Sequence, residues 1–156
     1  MRLSAGSSTR HHALMLLILL GVGVSAYLVY VALDASAEPY CSGVGDCHAV
    51  QASQYAKIGG VPVAAFGLLM YLGLLALHVA SSVGPWRGRP LLRVWLTVLA
   101  GSGVLYSAYL TYLELEVIHA ICVYCVVSAS IVTGIALLSL PDFSAARREL
   151  AAAAEE

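Results

Sequence analysis

The segment AICVYCVVSASIVTGIALLSL, Ala120–Leu140, sets two thiols, Cys122 and Cys125, at the mouth of a bilayer-length apolar run. On a helix, residues three apart share a face and come within reach of each other. A helix N-terminus also carries partial positive charge and free N–H groups, which favour thiolate over thiol. That is a reactive dithiol in principle. The other two cysteines, Cys41 and Cys47, stand in YCSGVGDCHAV, where glycines give the pair mobility. Thiol–disulfide exchange needs an attacking thiolate, an accessible disulfide and a second thiol to resolve the mixed intermediate. One mobile pair and one fixed pair supply those parts.

Two other chemistries compete for four cysteines. A zinc site wants two close pairs, and Cys122–Cys125 has the required C-x2-C spacing. Cys41 and Cys47 form C-x5-C, looser than the usual knuckle, and no further ligand cluster backs them. Two structural disulfides in an inert bundle are the other alternative, and spacing alone does not exclude them.

The elements that must position these thiols follow from composition. Of 156 residues, 60% are hydrophobic and 11% charged, against about 25% charged in soluble domains. No basic tract, glycine-rich phosphate loop or nucleic-acid motif is present, so partners of those classes are set aside. About 20 apolar residues cross a bilayer. Four stretches qualify, at 13–33, 61–83, 94–113 and 120–140. The first, at 1.5 Å per residue, reaches about 31 Å. A charge at a span centre costs roughly 2.5–3.5 kcal/mol on insertion scales, and none of the four interiors carries one.

The fold expected is an all-α integral membrane protein, a four-helix bundle in the lipid bilayer. Residues 1–12 form an N-terminal tail, 13–140 the transmembrane redox domain with its first outer loop at 34–60, and 141–156 a C-terminal tail. Of the 8 basic residues, all but Lys57 fall in the tails or between spans two and three. The positive-inside rule then makes both termini cytoplasmic, with Trp86 and Trp95 in the inner aromatic belt and Tyr109 and Tyr112 at the outer end of span three. The ASA at 35–37 resembles a signal-peptidase site, but the preceding apolar run exceeds the 7–15 residues of a signal h-region. We read it as a retained span. This topology makes no use of cysteine, yet it puts all four thiols on the non-cytoplasmic side, where disulfides persist.

A thiol relay must end in an electron acceptor. The chain has no haem-ligand pair or dinucleotide fingerprint, so the acceptor comes from the membrane, and a quinone is the lipid-soluble oxidant there.

The sequence resembles the vitamin K epoxide reductase family in its bacterial branch. The resemblance rests on Cys41, Cys47, Ser53, GGVP before the second span, and YLTYLELEVIHAICVYC at 109–125, and it runs from about Ala13 to Leu140. The DsbB type of quinone-linked tetraspan protein carries its C-x-x-C in the first outer loop, the reverse of the order here. The resemblance implies that Cys41 exchanges with a separate thioredoxin-fold (DsbA-like) periplasmic protein. Cys47 then passes electrons to Cys122 through a transient disulfide, and Cys125 faces a menaquinone, ubiquinone or vitamin K-type quinone. Ser53 would lie on a short helix over the bundle mouth and donate a hydrogen bond to a thiolate or quinone oxygen, or else cap a turn. Tyr124 is implied near the quinone, with a lipid-facing belt position as the alternative. The animal enzymes carry a hydrogen-bonding asparagine and tyrosine where our alignment has Val63 and Ala129, which argues against epoxide reduction. The family's frequent fused thioredoxin-like domain has no counterpart after Leu140, hence the separate partner. The alternative function is a non-enzymatic tetraspan scaffold held by structural disulfides.

The remaining polar residues carry lesser expectations. His119 can stabilise a thiolate as imidazolium or sit at the wet interface, and His78 packs far from the thiols. Asp46 either disfavours a Cys47 thiolate or joins an acidic outer face of Asp34, Glu38, Asp46, Glu114 and Glu116. Gly101, Gly103 and Ser107 let helices approach closely. The alanine-rich tail reads as a helical stub.

Overall fold

The computed structural model describes residues 4–34, 41 and 45–155, with side chains from residue 8 onward. Arg2, the ASA at 35–37, Glu38 and Gly43 lie outside the described residues. Four long helices dominate: α1 (Ser4–Leu33), α3 (Val63–Ser82), α4 (Pro90–Tyr112) and α5 (Val123–Ala153). They supply four runs long and apolar enough to cross a membrane, with 26, 20, 29 and 31 residues at Ser8–Leu33, Val63–Ser82, Pro90–Ile118 and Val123–Ala153, the third continuing beyond α4. Helices are the one open structure that hydrocarbon allows, because every backbone N–H finds its partner within the segment. The protein is a four-helix integral membrane bundle.

The helices close a ring in which α1 touches α3 and α5, and α4 touches α3 and α5. Their shared core joins Leu14 and Ile18 to Tyr71, Leu74, Leu96, Ala100, Ile131, Val132 and Ile135. Small residues set the approach distances. A Cβ at Gly103 would overlap the Met70 thioether and Val132, and one at Gly21 would overlap the Tyr71 ring. Tyr71 is fully buried, and its hydroxyl donates to the Ser128 carbonyl at 2.9 Å, tying α3 to α5. Gly101 has open space around it and is not a close-packing position. Leu16, Leu69, Leu105 and Leu137 point outward and are more than 60% exposed. Such a surface would aggregate in water, but it suits lipid.

Between α1 and α3 the chain folds into a cap. Helix α2 (Cys47–Ala52) leads through a 3₁₀ turn at Gln54–Ala56 into a two-stranded ribbon, β1 (Lys57–Ile58) paired antiparallel with β2 (Val61–Pro62). Gly59 and Gly60, both at positive φ (58° and 85°), make the turn, which is why GGVP stands there. The ribbon is a small β addition to an otherwise helical chain. Helix α5 runs on past Pro141 to Ala153, so the alanine-rich tail extends the last span as helix.

Candidate active site

The end of α4 builds the site. Its last turn widens into a π-helical segment, Leu113–Ile118, closed by His119 in the left-handed region (φ 55°). A π turn carries an extra residue and shifts which side chains face inward. Glu114 is thereby 3% exposed, whereas Glu116 is exposed. The Glu114 carbonyl accepts the Ala120 N–H at 3.0 Å, and its Oε2 accepts the Cys122 N–H at 3.0 Å. One acidic residue therefore holds both strands of the link between α4 and α5. Assigning Glu114 to an acidic outer face is corrected: the carboxylate lies beneath that face, against the thiols.

Cys122 has extended backbone (φ −98°, ψ 114°) and precedes α5 as its N-cap, while Cys125 lies in the first turn. The expectation that both thiols share a helix face is corrected to one thiol at the cap and one on the helix. Both are free; Cys122 is buried and Cys125 partly buried. The two Sγ atoms and a Glu114 oxygen all lie within 4.8 Å of one another.

The first loop is stitched onto this link. Asp46 is exposed and is the N-cap of α2, its Oδ1 accepting the Ala49 N–H at 2.9 Å, a role that the sequence reading did not include. Its backbone N–H donates to the Ile121 carbonyl at 3.0 Å. Gly45 makes the contact possible, because its φ is 85° and any Cβ would overlap the Ile121 oxygen. The residue before Cys47 is thus bonded to the residue before Cys122. Cys47 is fully buried and bonded as a disulfide to the half-buried Cys41, with Cα atoms 6.3 Å apart. That bond leaves two thiols and one carboxylate in place of a four-thiolate zinc set.

Below the link lies a cavity of about 320 Å³, lined by Cys122, Cys125, Glu114 and Ser53 among apolar walls that include Phe66 and Leu110. Small-molecule sites run from roughly 300 to 1,000 Å³. Ser53 ends α2, and its hydroxyl donates to the Val50 carbonyl at 2.7 Å, so its proton is committed to the backbone while its oxygen can still accept. Val63 also lines the cavity and offers no side-chain hydrogen bond. Tyr124 does not line it; its ring meets Tyr27 at 5.2 Å between centroids. His119 is exposed, with Nδ1 3.0 Å from the Leu115 carbonyl, and His78 is buried at the opposite end against His11.

The residue of this site that sequence reading misplaces is Glu114. Its signal was a carboxylate inside LELEV, eight residues before Cys122, but Glu116 offers the same signal and faces out.

A membrane bundle holding a free dithiol beside a disulfide defines a membrane thiol–disulfide protein. The chain belongs to the vitamin K epoxide reductase family, whose model matches residues 12–140. It is 32% identical over 127 residues to "Thiol-disulfide oxidoreductase LTO1" of Arabidopsis thaliana, covering 76% of this chain and 32% of that protein. The chain thus spans about a third of the curated relative's length. The family match and the relative's name both support a disulfide redox role.

Proposed function

We propose that this protein reoxidises a periplasmic thioredoxin-fold protein and passes the electrons to membrane quinone, supporting disulfide formation. In this reading both termini are cytoplasmic, the thiols lie outside a bacterial plasma membrane, and 13–140 is the redox domain between two cytoplasmic tails. The observation that carries it is the Asp46–Ile121 hydrogen bond, which holds the Cys47 and Cys122 segments together. Three balanced exchanges follow. The partner's two thiols reduce Cys41–Cys47 and leave as a disulfide. Cys47 then attacks a Cys122–Cys125 disulfide, and Cys41 resolves the mixed bond, leaving the inner pair reduced. Finally Cys122 and Cys125 form their S–S bond again as two electrons and two protons go to quinone, giving quinol.

With Cys41–Cys47 bonded and the inner thiols free, the molecule is set to accept electrons at one pair and release them at the other. The cavity supports the last step: its apolar walls suit a quinone ring, and both thiols reach it. Val63 brings no side-chain hydrogen bond to an epoxide oxygen, so quinone is the preferred acceptor. The test is anaerobic incubation of the purified protein with a reduced thioredoxin-fold protein and several quinones, following quinol. Quinol formation that disappears in Cys125→Ser supports the reading. A wild-type protein that forms none with any quinone, while remaining folded, leaves the scaffold alternative.

A further inference from the structure

Glu114 is a buried acid with no basic partner among the described residues. Among the described residues the two ion pairs are Arg10–Asp142 and Arg93–Glu149, both away from it, and no lysine or arginine lines its cavity. A carboxylate taken out of water without a cation is unfavourable unless its oxygens are hydrogen-bonded. One oxygen receives the Cys122 N–H. The Cys125 and Cys122 sulfurs and a Glu114 carboxylate oxygen lie within 4.8 Å of one another. The acid therefore sits beside both thiols and lines the cavity that they reach.

We propose that Glu114 is the proton acceptor of the inner dithiol, taking the Cys125 proton as the thiolate forms and delivering it to the quinone oxygen. This rests on the quinone-reducing reading above. When Cys122 and Cys125 join, two electrons and two protons must leave together. The electrons go to quinone. One proton travels through Glu114, the other is that of the Cys122 thiol, and both end on quinol. Among the residues that line the cavity Glu114 is the one carboxylate. The serine, threonine and tyrosine hydroxyls there are far weaker bases. The bland alternative is that Glu114 only caps the link by accepting the Cys122 N–H.

Glu114→Gln separates the two roles, since an amide oxygen still accepts that N–H but the side chain cannot carry a proton. General acid–base catalysis contributes roughly 10²–10⁴-fold, so Glu114→Gln should slow quinol formation about 100-fold. Its melting temperature and its single-turnover exchange with the reduced partner should be unchanged, and Glu114→Asp should recover at least about tenfold of the loss. A folded Glu114→Gln protein reducing quinone at the wild-type rate overturns the assignment and leaves the cap. Quinol absent from the wild type as well overturns the underlying reading instead. If the glutamine variant fails to fold, Glu114→Asp and Glu114→Asn carry the same comparison one methylene shorter. Equal rates for that pair overturn the assignment.

Discussion

The two ends of this bundle handle polar groups in opposite ways. At the arginine end a cavity of about 830 Å³ is lined by Arg10, Arg87, Arg93, His11, His78 and Asp142. Arg10 there meets Asp142 at 2.6 Å, with both side chains about 30% exposed. The His11 and His78 rings stack at 4.5 Å, and Ser81 and Ser82 donate to the His78 carbonyl at 2.8 and 2.7 Å. At the cysteine end the cavity is smaller and mostly apolar, and it buries one carboxylate against two thiols. Volume alone would favour the wrong end. An ion pair holds a structure together, whereas a buried acid that has no cation among the described residues and lies beside a free dithiol fits the proposed transfer of a proton.

Away from the thiols and Glu114, breaking the cysteine end at its seam should have the largest effect. Gly45→Ala puts a Cβ onto the Ile121 oxygen at φ 85°. The left-handed conformation costs an L-residue about 1–2 kcal/mol, and the overlap adds to it. Electron passage from Cys41–Cys47 to the inner pair should fall about tenfold or more, since 1.36 kcal/mol is a factor of ten. Reaction of the partner with Cys41 should persist, and rapid-quench thiol labelling reads both steps. Unchanged transfer would mean that the docked loop is not the route.

Ser53→Ala should do less. The hydroxyl already donates to Val50, so its loss removes a cavity acceptor and a net bond of about 0.5–1.5 kcal/mol. Quinol formation should slow a few-fold with the fold intact; an unchanged rate returns Ser53 to turn capping. The smallest effect belongs to the arginine end. Asp142→Asn removes a part-exposed ion pair worth about 0.2–1 kcal/mol. Melting should drop slightly and quinol formation should not change. A redox defect there would erase the contrast between the ends.

Much of this architecture is legible in the sequence because its causes are local. Four uncharged apolar runs announce four helices, and GGVP announces the ribbon's turn. The thiols could be grouped from loop positions alone, because short links leave few places for them. Glu114 could not be read the same way. In LELEV two acids stand two residues apart, and which one turns inward depends on the π turn at Leu113–Ile118 and on left-handed His119. Neither feature has a local sequence signature. Asp46 was legible as a helix N-cap by residue type, but the nearness of Cys47 drew the reading toward charge. The Asp46–Ile121 bond joins residues 75 apart in the chain, and only the folded molecule brings them together.

The account stands on a wire between two sulfurs held close by that seam. Removing the outer neighbour and the inner neighbour together, in Cys41→Ser/Cys125→Ser, leaves Cys47 and Cys122 with only each other. Mild oxidation of this double variant in membranes, followed by peptide mapping without reduction, should yield a Cys47–Cys122 disulfide in most molecules. Two free thiols in a folded chain would contradict it.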